Sequence, residues 1–177
     1  MAPRALLAYV ATWLAVGAAV AGALIVLLAD GERGVALPPV QQTELAVAAD
    51  RAGCRLRRGP QRAWERPPVE GPKGAAARPA AYTEPVARHA LVAAMRAGTV
   101  VVHYRPGLAE RDVEALEGVR EAVPRGTILV PNEDMPYAVA ATAWRRLLGC
   151  RRIDRATIDA IQLFRGRYVG QGPEAPR

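Results

Sequence analysis

The chain has 177 residues, enough for one ordinary domain and a short extra segment. Hydrophobic residues make up 51% and charged ones 23%, which excludes wholesale disorder and a multi-pass transporter. The formal charge of +7 is an arginine effect, since Lys73 is the sole lysine, and the absence of any serine excludes Ser-His-Asp catalysis.

Residues 5–29 form an apolar run of 25 without a charge. As a helix it reaches about 37 Å, against about 30 Å for a bilayer core, so it predicts a transmembrane anchor over residues 1–30. A signal peptide is the alternative, with Ala21-Gly22-Ala23 as its small-residue triplet. Its apolar core should end after about 7 to 15 residues, whereas this run continues to Leu28. Arg4 precedes the run, while Asp30, Glu32 and Glu44 outnumber Arg33 after it. Basic residues stay on the cytoplasmic side, so the amino terminus is expected inside and the rest of the chain outside.

Residues 31–53 read as a stalk in which only 40–52 has the makings of a short helix, and Pro, Gly, Ala and Arg keep the chain irregular to residue 78. A helix is predicted over 88–97, stopped at Gly98, then a buried strand over 99–104 rich in β-branched residues. Residues 109–123 place Val113, Leu116, Val119 and Val123 on one helical face, with Glu110 and Asp112 in the first turn. A second strand follows at 127–130, and 137–144 alternates well enough for a third, although it is also good helix material. Asp154 caps a last helix, with Ile153 and Ile158 as its hydrophobic staple and Gly166 as its stop. The tail from Gly170 is expected to be loose. The fold class is therefore α+β: a transmembrane helix followed by a domain, residues 54–170, of about three strands with packed helices, then a flexible tail at 171–177.

There are two cysteines, Cys54 and Cys150. In an exported domain an even count predicts a disulfide, with two free thiols as the alternative.

Several spaced motifs resemble one family. They are Tyr82-Thr83-Glu84-Pro85-Val86, the helix ending at Gly98 before a Val-rich strand, Thr142-Ala143-Trp144-Arg145 and Phe164-Arg165-Gly166-Arg167. With Arg66-Pro67-Pro68-Val69-Glu70-Gly71-Pro72-Lys73, they are similar to the bacterial domain of unknown function 3105, over roughly residues 54–174. The resemblance implies a single amino-terminal anchor. It also implies a His-x-x-Glu-His-Gly pattern on the helix before the strand and a histidine closing the Gly-Pro segment, groups suited to metal or acid/base work. This chain has Ala93, Arg96, Ala97 and Lys73 at those positions, so the site is expected to be degenerate.

The remaining candidate pocket residues are Tyr82, Glu84, His103 and Trp144; His103 shares a strand face with Val101 and reads first as a packed histidine. No catalytic residue, cofactor or metal ligand set is predicted. The expected role is a non-catalytic module outside the bacterial membrane that meets an unknown envelope or protein partner. An exported metal-binding protein or enzyme using His103 with Glu84 or Asp134 is the alternative. Nucleic-acid binding ranks last, because the arginines are scattered, aromatics are few and the domain should face away from the cytoplasm.

Overall fold

The computed structural model describes residues 41–62 and 65–176, all within the unit Pro39–Arg177. The anchor expected at residues 5–29 lies outside them. Among the described residues no helix is long and apolar enough to cross a membrane.

Helix α1 spans Gln41–Arg51. Its Leu45 and Ala49, with Ala52 just beyond, are buried at helical spacing, because they pack against the last helix. The second half of the expected stalk is thus part of the core. Strand β1, Arg55–Arg58, follows at once. Helix α2 covers Arg88–Arg96 and buries Leu91 to Met95, ending where Gly98 takes φ +92°, the left-handed stop its sequence predicts. Strand β2, Val100–Tyr104, helix α3, Glu110–Glu121, and strand β3, Thr127–Pro131, form a parallel β-α-β unit. Strands β4, Val139–Ala143, and β5, Arg146–Cys150, form a hairpin. Helix α4 then runs Arg155–Tyr168, capped by Asp154, whose Oδ1 accepts the Thr157 N–H at 2.9 Å.

The five strands make one mixed sheet in the order β1-β5-β4-β2-β3, rather than the three expected. Two strands were illegible for different reasons. The arginine-rich β1 has little strand propensity and forms because β5 offers an antiparallel partner, Arg55 opposite Gly149 and Arg58 opposite Arg146. The β4–β5 turn, Trp144-Arg145, contains none of the usual turn residues; Arg145 itself adopts φ +55°.

One face of the sheet carries the main core, where α1, α3 and α4 bury Leu45, Leu116, Ile161 and Phe164 against Val100, Val102 and Leu129. The opposite face is covered by α2, which packs Leu91, Val92 and Met95 on Val101, Ile128 and Val130. A smaller cluster on Ala140 and Leu147 takes Val69 and Met135. Fully burying a Leu or Phe side chain is worth about 1.5 to 3 kcal/mol, so the first cluster dominates stability.

Two expectations about the end of the chain are corrected. Gly166 does not stop α4, which continues until Tyr168 sets its ring edge-on to Phe164, centroids 4.7 Å apart. The tail is not loose either: Gly170 donates its N–H to the Gly98 carbonyl at 2.7 Å, and Glu174 donates its own to the Arg96 carbonyl at 2.8 Å. Gly172 lies so close to the Arg96 carbonyl and the Gly98 nitrogen that a Cβ there would collide with backbone.

Candidate functional site

Cys54 and Cys150 are joined, Cα to Cα 4.3 Å, across the start of β1 and the end of β5. The bridge fixes the edge strand that forms one wall of a groove. That groove, about 620 Å³, lies between β1 with its following loop and residues 133–137. Arg55, Arg57 and Arg66 supply positive walls; Glu65, Glu133 and Asp134 supply negative ones. Met135, Tyr137 and Leu147 add apolar surface. Within it Arg57 pairs with Glu65 at 2.6 Å and Arg66 with Asp134 at 3.4 Å. The Tyr137 ring lies on Gly149, where any Cβ would displace it.

The loop 61–70 is held by one residue that sequence reasoning passed over. Gln61 accepts the Val69 N–H at 2.7 Å, donates through its amide to the Pro67 carbonyl at 2.7 Å, and gives its backbone N–H to Glu70 at 2.6 Å. That last bond, helped by Arg145 at 2.7 Å, keeps the Glu70 carboxyl below the ordinary glutamate range.

Of the four positions where the resemblance implied a degenerate site, two meet. Arg96 donates twice to Glu174 Oε1, at 2.7 and 2.8 Å, and Lys73 Nζ donates to the same oxygen at 2.7 Å. The two cations thus close on a carboxylate of their own chain, and Arg96 holds the Glu174 carboxyl below its ordinary range. Ala93 is on the buried face of α2, and Ala97 is exposed beyond its end. Glu174 was hidden from sequence reading, because nothing local in a Gly/Pro-rich tail reports a partner 78 residues away.

Glu174→Gln should therefore free residues 170–176 while leaving the core intact. Amide exchange at Gly170 and Glu174 is expected to accelerate without a matching change at Val101 or Leu129. Gly172→Ala should do the same through a backbone clash; unchanged exchange in both variants would show that the tail is held by something else.

Tyr82, Glu84, His103 and Trp144 are not gathered in any one of the recesses described. Tyr82 and Trp144 pack on the edge of the α2 cluster, and Glu84 is exposed. His103 lines a recess of about 270 Å³ with Pro85, Arg88 and Asn132, yet is fully buried. Its Nε2 faces the Thr142 hydroxyl at 3.0 Å, that hydroxyl donates to the Val101 carbonyl at 3.4 Å, and the Asn132 amide donates to Nδ1 at 3.3 Å. The chain of bonds places the proton on Nε2 and uses both nitrogens. Burial pushes its pKa down to about 3, so the ring is neutral. Asp134, one of its suggested companions, is exposed and paired with Arg66. Among the described residues no group of three or more His, Cys, Asp or Glu side chains has the arrangement of a metal site.

Trp144 occupies the tip of the hairpin, with the guanidinium groups of Arg96 and Arg145 over its ring at 4.8 and 5.7 Å. Residues 62–176 match the family described as protein of unknown function (DUF3105). No curated protein and no solved structure matches the chain.

Proposed function

The chain belongs to the DUF3105 family of proteins of unknown function, and from there we propose that it is a single-pass protein of the bacterial cell membrane whose outer domain binds a partner rather than transforming a substrate. The groove carries this reading. It has the volume of a ligand site, walls of both charge signs and an apolar component, the composition that suits a peptide or other zwitterionic surface. The polar groups nearest to catalytic types serve the fold instead: His103 is saturated by neutral partners, and the Arg96 and Lys73 cations are engaged by Glu174. The anchor rests on the apolar run at residues 5–29, and the outward orientation on the charge balance around it. A bridged cysteine pair suits an oxidising compartment.

A photo-crosslinking side chain placed at exposed Pro136 in the full chain, expressed in a bacterial membrane, tests both halves. A discrete adduct should form with an envelope component and vanish when Glu133→Arg and Asp134→Arg reverse the acidic wall. No adduct, or one indifferent to the reversal, overturns the groove as the binding surface. Adducts only with cytoplasmic proteins overturn the orientation.

A further inference from the structure

A third recess, distinct from the groove and from the one that His103 lines, lies where the β4–β5 hairpin meets the end of α4. It measures about 270 Å³ and is walled by Trp144, Arg145, Arg146, Arg167, Tyr168 and Gln171, with Ala143 below them. Three arginines and a glutamine are in its lining, and no acidic residue is. The charges are only partly spent: Arg145 reaches Glu70 at 2.7 Å, and Arg146 donates to the Arg145 carbonyl at 2.9 Å and lies over the Tyr168 ring at 5.8 Å. Arg167 makes no ion pair among the described residues.

The backbone singles out the same place. Arg145 is the one non-glycine residue at positive φ among the described residues, at +55°. The conformation lets its N–H reach the Val69 carbonyl and its carbonyl accept from Gly59, both at 3.0 Å. Glycine or asparagine would take that conformation at lower cost, and what the arginine adds is a side chain that reaches Glu70 and the Trp144 ring.

We propose that this recess is a binding site for a phosphate group. Guanidinium forks match phosphate oxygens in paired hydrogen bonds, and Arg146 and Arg167, which have no ion pair among the described residues, are left to meet a multiply charged anion. The volume is below that of most sites for drug-sized ligands, so it admits one anionic group rather than a whole nucleotide. Trp144 and Tyr168 give it an aromatic wall. A free phosphate and a phospholipid headgroup share this chemistry.

The test titrates the purified full chain with inorganic phosphate and, separately, with a short-chain phosphatidylglycerol below its micelle concentration. Sodium chloride is added to hold ionic strength constant, so that general screening does not masquerade as binding. Saturable binding of either probe is expected, weakened about tenfold or more in Arg146→Gln and Arg167→Gln. Arg167→Lys should recover part of the loss, and Arg111→Gln, on the far exposed face of α3, should lose none. Phosphate alone binding identifies a free anion; tighter binding of the lipid identifies a headgroup. No binding of either probe, or equal binding in all four variants, overturns the proposal. Thermal melts of Arg146→Gln and Arg167→Gln that match the parent keep a loss from being one of folding. The groove's crosslinking result is independent of this outcome.

Discussion

Replacing Cys54 and Cys150 together by alanine is expected to cost the fold about 4 to 5 kcal/mol, the loop-closure entropy of a loop of roughly 100 residues. The residues in question are 96 apart in the chain, near the long end of what a single bridge spans in a domain of this size. The urea midpoint of the full chain should fall by roughly 2 M, with a steeper slope because the unbridged unfolded chain exposes more surface, and reduction of the parent protein should reproduce both changes. Position adds a second effect. The bridge ties β1 to β5 beside their antiparallel pairing, and β1 is a four-residue edge strand with three arginines and one apolar side chain, Leu56. Amide protection in residues 41–58 is therefore expected to fall before that of β2 and β3. A midpoint shift below about 0.5 M would mean that the reduced, unfolded chain is already compact enough to forgo the constraint.

The second large effect is acid sensitivity centred on His103. In the unfolded chain an imidazole titrates near 6.5, while in the fold burial holds it to about 3. Below pH 6.5 the unfolded chain accordingly takes up a proton that the folded chain refuses. The stability is complete above that pH and is lost at about 1.4 kcal/mol per pH unit as pH falls toward 3. About 2 kcal/mol should disappear between pH 6.5 and 5. Four carboxylates act lower in the range, Glu65 beside Arg57 among them. Glu70 is held down by the Gln61 backbone N–H, Asp154 by that of Thr157, and Glu174 by Arg96; each loses its contribution only as pH falls through its depressed value. His103→Gln keeps a donor for Thr142 and removes the titration, so its stability between pH 6.5 and 5 should be flat by comparison. Parallel slopes in the two proteins, measured by urea unfolding at each pH, would assign the acid response to other groups.

What the sequence disclosed of this fold follows from how local each signal is. Helices α2, α3 and α4, strands β2 and β3 and the Asp154 cap were legible because residues within one or two turns specify them, such as Leu116 and Val119 on one helical face. The cysteine pairing needed only a count of two. Strand β1 was not legible, because Arg-Leu-Arg-Arg becomes a strand through its neighbour; neither was α1's place in the core, since the short helix expected at 40–52 has Leu45 as its one large apolar residue on the face that meets Phe164 and Ile161. For the site the same contrast holds. Lys73 and Arg96 were visible as departures from the family pattern, yet their meeting depends on Glu174, which no spacing rule connects to them. His103 was read from strand alternation as a packed residue, and its hydrogen-bond network with Asn132 and Thr142 comes from three separate segments.

The strand order also sets a timetable for synthesis. Residue 55 finds its partner only at residue 149, and the end of α2 is covered only by residues 170–174. A chain that has emerged as far as α3 has β2 with no antiparallel neighbour and one cysteine with nothing to oxidise against. The contacts that close this domain are long-range ones, which form slowly because the intervening loop must be ordered first. The domain thus stays open until residues 170–174 have emerged, and until then its two apolar sheet faces are exposed to other partners.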